Sequence, residues 1–138
     1  MSGSETGMRS LALFVFLACT GQAAASDTSC PPVSAIKLSG TTDDGTNYQA
    51  SYGGHVWKGE VSKYDHDVDL NKLAFHAAGV KLAKNLVVCD YEGDGSALRL
   101  SITKEGLELP RAKSWDVKGG NEAWCEAKDV ASCPIEGI

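Results

Sequence analysis

Apolar side chains recur at alternate positions through most of this 138-residue chain, in short runs cut by glycine and aspartate. A two-residue period is what a strand needs to turn one face to a core and the other to water. Val33 to Ser39 carries Ile36 and Leu38 on one face and stops at Gly40 and the turn-rich stretch Thr41-Thr42-Asp43-Asp44-Gly45. Asn47 to Tyr52 sets Tyr48, Ala50 and Tyr52 on one face. Gly53-Gly54 is a hairpin signal, and His55 to Val61 follows as the partner strand, with Trp57 and Val61 on one side and Gly59 between them. Leu86 to Tyr91 and Ala97 to Thr103 flank Glu92-Gly93-Asp94-Gly95 as a second hairpin, its buried face being Leu98, Leu100 and Ile102. Beyond Pro110, Ala112 to Val117 and Glu122 to Glu126 flank Gly119-Gly120-Asn121 as a third.

One stretch reads two ways. Residues 62–72 are polar and charged, as in a connecting loop, but Leu70, Leu73, Ala74 and Ala77 have helical spacing, with Asp69 as N-cap and Gly79 past the end. Leu73, Phe75 and Ala77 fit a strand instead, and pattern alone favours the helix. Short strands punctuated by glycine turns at intervals of about ten residues predict a mostly β domain. The expected architecture is a small antiparallel β-sandwich or barrel with room for one short helix.

The N-terminal region follows a different rule. Arg9 precedes an uninterrupted apolar run, Leu11 to Ala18, and Ala23 and Ala25 give the small-x-small pattern that a signal peptidase accepts. Residues 1–25 therefore read as a signal peptide, with Met8 the better start and cleavage after Ala25. The run is too short for a stable membrane span, which takes about 20 apolar residues. Lipoprotein anchoring through Cys19 is less favoured, because Phe16 stands where a lipobox has leucine. The domain is then residues 26–138, periplasmic or secreted.

Export changes the meaning of the cysteines. Cys30, Cys89, Cys125 and Cys133 remain after cleavage, and an even number in an oxidising compartment predicts two disulfides. Three pairings are possible. Cys125 with Cys133 and Cys30 with Cys89 is preferred, since the first closes a short loop and leaves the other two to pair. No C-x-x-C spacing is present, which argues against zinc.

A formal net charge of −5 with no basic cluster argues against nucleic acid as a partner. Candidate chemistry is sparse. Asp65-His66-Asp67-Val68-Asp69 has alternate carboxylates that a curled loop would bring to one cation, but the plainer reading is a solvated acidic loop whose aspartates turn the chain. Asp90 to Gly95 resembles the start of a calcium loop, yet its twelfth position is Ser101 where a bidentate glutamate belongs, so a hairpin turn is expected. There is no G-x-S-x-G elbow, no phosphate loop and no motif that singles out a catalytic pair, so no catalytic residue, metal or cofactor is assigned. The aromatic residues are more suggestive. Tyr48 and Tyr52 beside Gly53-Gly54, and Trp57, form a candidate binding surface together with Asp65, Asp67 and Asp69, although Trp57 and Trp124 better suit a core packed against disulfides.

Cys30-Pro31-Pro32 with Ile36, the Trp57-x-Gly59 element, Cys89-x-Tyr91-Glu92 before a glycine turn, and the closing Trp124, Cys125 and Cys133 resemble a family of short exported bacterial proteins of unknown function. The resemblance spans nearly all of residues 30–133. It implies a mostly β domain, a periplasmic setting and a strand over Leu73 to Ala78, and it transfers no catalytic residue. The expectation is a binding or interaction protein of the bacterial envelope that performs no turnover, its partner a protein, basic in character, or an envelope glycan. The alternatives are an inhibitor or immunity protein against a basic hydrolase, and a small hydrolase with an unrecognised site.

Overall fold

A computed structural model describes residues 28–138, so the expected signal peptide and its expected cleavage point lie outside the described residues. Eight strands run in chain order: β1 Ile36–Thr42, β2 Gly45–Tyr52, β3 His55–Ser62, β4 Ala74–Lys81, β5 Leu86–Gly93, β6 Ser96–Thr103, β7 Asp116–Lys118 and β8 Glu122–Glu126. They form one antiparallel sheet in the order β1-β2-β3-β6-β5-β4-β8-β7. The three predicted hairpins are β2–β3, β5–β6 and β7–β8. Alternation does what the pattern required. In β6, Leu98, Leu100 and Ile102 are buried while Ala97, Arg99 and Thr103 face water.

The sheet turns a corner between β3 and β6, where a single residue pair, Lys58 with Ser101, is in register. Gly59 permits the crossing, because a methyl group there would fall 2.0 Å from the Arg99 carbonyl oxygen. The two parts, β1-β2-β3 and β6-β5-β4-β8-β7, send their apolar faces into one cluster containing Tyr48, Ala50 and Trp57 from the first and Val87, Cys89, Tyr91, Leu98 and Leu100 from the second. β1 and β7 stand at opposite ends of the strand order, so the curled sheet has two edges.

From Ala74 onward the stretch over residues 70–78 is a strand, against the helical preference of its pattern. Asp69 does cap the following turn, its side chain accepting from the Asn71 amide at 3.0 Å, but that turn is one 3-10 turn, Leu70–Lys72, and ends at Leu73. β4 pairs with β5 on one side and β8 on the other, and Ala77, Ala78, Gly79 and Val80 are all buried. A strand buried on both faces loses the polar alternation that identifies it, and its small residues mimic a helix.

Both disulfides follow the preferred pairing. Cys30–Cys89 spans 59 positions and Cys125–Cys133 spans 8. The first fastens the segment preceding β1 to β5, and the Tyr91 hydroxyl beside it donates to the Pro31 carbonyl at 2.6 Å. The Tyr91 ionisation is shifted up, first by burial and then by the charge of Asp90. Thr28 and Ile135 exchange backbone hydrogen bonds of 3.1 and 2.6 Å, and the Trp115 indole donates to the Pro134 carbonyl at 2.8 Å, so the two ends of the domain are held together. No helix among the described residues is long and apolar enough to cross a membrane.

Candidate binding surface

The predicted surface divides. Tyr48 is 5% exposed and Trp57 is fully buried, which corrects their assignment as binding residues. Strand alternation is the reason: Tyr48, Ala50, Trp57 and Val61 share the face of the β2–β3 hairpin that the other part of the sheet covers, leaving Gln49, Ser51, Val56, Lys58 and Glu60 on the other face. Tyr48 lies opposite Gly59 across the hairpin. The Trp57 indole donates to the Tyr52 carbonyl at 3.2 Å, and Tyr52 itself is half-buried.

The acidic residues are exposed and gather at one end. β1 and β3 run in the same direction, and so does β5, because β6 is antiparallel to both β3 and β5. The segments that leave these strands therefore emerge together: Asp43-Asp44 after β1, residues 63–69 after β3, and Glu92-Gly93-Asp94 at the end of β5. The Lys63 amide donates to the Asp44 carbonyl at 3.0 Å, joining the first two segments. Lys72 meets Asp94 at 3.1 Å and His76 lies 3.7 Å from Glu92, joining the third. Both pairs are exposed and add little to stability. Their consequence is geometric, since they hold the β5–β6 turn against the segment that follows residue 69.

An open cleft of about 580 Å³ lies between the loop and that turn, lined by Asp65, His66, Glu92, Asp94 and Ser96 among others. Beside it Tyr64 projects with 86% of its surface exposed. The three alternate aspartates do not converge. Asp65 lines the cleft, the charge of Asp67 acts on the Tyr48 hydroxyl and, together with the larger effect of burial, shifts its ionisation upward, and Asp69 caps a turn. Among the described residues, no group of three or more His, Cys, Asp or Glu side chains could hold a metal ion. The calcium-like stretch is a hairpin turn, for the β5–β6 ladder runs to the pair Gly93 with Ser96 and Asp94 takes a φ of 55°.

Ser96, His66 and Asp65 share the cleft walls, which is the residue set of a hydrolytic triad. The Ser96 hydroxyl, however, donates to the Gly93 carbonyl at 2.7 Å and is committed to its own turn. A nucleophile needs that proton directed at a base.

Two aromatics outside the core were not singled out by the sequence pattern. Tyr64 is exposed, and its charged neighbours Lys63 and Asp65 mark it as outside. Trp124 was expected in the core and instead lies half-buried on the outer face of the sheet. The signal was present: Cys125 must face inward to meet the fully buried Cys133, so the residue before it must face out. Comparison with protein-family models, with curated proteins and with solved structures returned no match.

Proposed function

We propose that this chain is an exported binding protein of the bacterial envelope, acting by surface complementarity without turnover, and that its acidic end meets a basic protein partner. The observation that carries this reading is the gathering of Asp43, Asp44, Asp65, Asp67, Asp69, Glu92 and Asp94, drawn from three distant segments, at one end of the sheet, where Lys63 and Lys72 stand among them. Such a field steers a basic partner and fixes its orientation. Two disulfides and the signal-like N-terminal pattern support an oxidising compartment, periplasmic or extracellular.

A more specific form of the same reading is inhibition of a basic hydrolase. The exposed Tyr64 beside Asp65 favours it, because an exposed aromatic next to acidic side chains can anchor in a basic cleft.

The test immobilises residues 26–138 and recovers partners from the envelope fraction of the native host. A triple variant, Asp65→Asn, Asp67→Asn and Asp69→Asn, removes the charge and keeps the turn cap, since asparagine caps as well as aspartate. The expected result is a basic protein released by salt, its affinity for the variant lower by about tenfold or more. If that protein is a hydrolase, its activity should fall when the domain is added. Equal capture by the variant, or capture indifferent to salt, would refute the assignment of the acidic end.

A further inference from the structure

We propose that the outer edge of β1 takes an extended segment of the basic partner as an added strand, with an apolar side chain of that segment in the groove between Leu38 and Leu70 and a lysine or arginine beside it facing Asp67 and Asp69. This rests on the reading of the acidic end and adds the manner in which the partner is held.

The two edges of the sheet are not alike. β7 is three residues long, and its Asp116 and Lys118 pair with each other at 3.2 Å, so it offers little backbone and two charges. β1 is seven residues long with Lys37 as its one charge, and Lys37, Leu38, Ser39, Thr41 and Thr42 are all exposed. Among the described residues no strand or bridge pairs with its outer side, where an edge strand turns its unpaired N–H and C=O groups. A bulge between Leu38 and Gly40 interrupts the ladder and leaves Ile36 to Leu38 as a regular run.

Leu38 marks the place. It lies opposite the buried Tyr48, on the side of β1 that faces the core, yet it is 59% exposed. Ile36, on the same side, is buried. Leu38 thus has the orientation of a core residue without a cover. An open groove of about 480 Å³ runs beside it, lined by Val33, Ile36, Lys37 and Leu38 and, from the turn before β4, by Leu70 and Asn71. Strand addition supplies main-chain hydrogen bonds that any sequence can make, and such a groove selects an apolar side chain.

Charge selects what accompanies that side chain. The Asp69 carboxylate accepts from the amide of Asn71 at 3.0 Å, which sets it at the rim of the groove. Asp67 acts on the hydroxyl of Tyr48, the residue paired with Leu38, and Asp43-Asp44 follow the far end of the strand. Lys37 is the one charged residue in the groove lining itself. A basic segment suits this rim. A second copy suits it less, because each copy carries a formal net charge of −5.

The test follows amide shifts and hydrogen exchange of isotope-labelled residues 26–138 during titration with a short peptide of alternating threonine and valine ended by two lysines. The comparators are the same peptide N-methylated at alternate residues, which keeps its side chains and cannot complete an added ladder, and the same peptide ended by two glutamates. The first peptide should shift the β1 and Leu70 amides saturably and slow exchange along β1, and each comparator should bind about tenfold more weakly or worse. Leu38→Lys should lower the affinity about tenfold with an unchanged melting temperature, since the residue is exposed. Equal affinity of either comparator, shifts confined to residues outside β1, or unchanged affinity in Leu38→Lys would overturn the proposal. So would β1 shifts that appear on raising the protein concentration without peptide, which give the edge to a second copy. Capture from the envelope fraction separates this inference from the reading it rests on. A basic protein held through salt-sensitive contacts equally by the parent domain and by Leu38→Lys overturns strand addition and leaves the acidic end standing. Peptide binding along β1 with no basic protein captured supports the edge and overturns the acidic end.

Discussion

Removing the disulfides one at a time should destabilise the domain unequally. Cys30–Cys89 joins positions 59 apart and Cys125–Cys133 joins positions 8 apart, while all four cysteines are buried to a similar degree. In the chain-entropy description, a closed loop of about 60 residues takes about 14 cal/mol/K from the unfolded ensemble, or about 4 kcal/mol near room temperature. A loop of about 9 residues gives about 2.5 kcal/mol by the same relation. The packing lost when two buried sulfurs become alanine methyl groups is alike in the two double variants and cancels in their difference. Cys30→Ala with Cys89→Ala should therefore be less stable than Cys125→Ala with Cys133→Ala by about 1.5–2 kcal/mol. Urea unfolding followed by tryptophan fluorescence reads this directly, because Trp57 and Trp115 are buried. The slope with denaturant should also rise more for the long-loop variant, whose unfolded chain is freer to expand. Equal losses, or a larger loss for the short loop, would refute the entropic reasoning and locate the stabilisation in native contacts.

Tyr91→Phe leaves the buried Pro31 carbonyl without its donor and should cost about 1–3 kcal/mol in the same unfolding assay. The ionisation of Tyr91 is raised by burial, then by Asp90, so its contribution is complete below the ordinary tyrosine value of about 10 and is lost as pH climbs toward the folded value. Stability should accordingly fall less steeply with pH above about 10 in Tyr91→Phe than in the parent chain. An equal slope in the two would show that Tyr91 does not set the alkaline loss. Gly59→Ala forces a methyl group against the Arg99 carbonyl at the corner of the sheet and should destabilise by about 1–3 kcal/mol or more, whereas Gly54→Ala, with open space around it, should show only the smaller cost of its positive φ.

Much of the fold was legible because each hairpin carries its own local instructions. The β2–β3 and β5–β6 turns stand where glycine was found between alternating runs, and the short spacing of Cys125 and Cys133 pointed to the pairing seen. β4 was not legible. Its identity depends on β5 and β8 covering both its sides, and nothing within residues 70–78 records those neighbours. The face of the β2–β3 hairpin shows the same limit. Alternation correctly grouped Trp57 with Val61, but whether that face met water depended on how the sheet turns at Gly59, a tertiary event. The acidic end was half visible: Asp65, Asp67 and Asp69 stood out as a cluster, whereas Asp43, Asp44, Glu92 and Asp94 joined them only through strand direction.

The central claim is that an oxidising compartment receives this chain, trims it and locks it with two disulfides, and that the rigid surface so made is what works. Intact-mass analysis of protein purified from its native host, alkylated before any reduction, tests this most directly. The predicted result is a chain beginning at Ser26 with Cys30, Cys89, Cys125 and Cys133 all protected from alkylation. A chain that still carries residues 8–25, with those cysteines free to react, would contradict it.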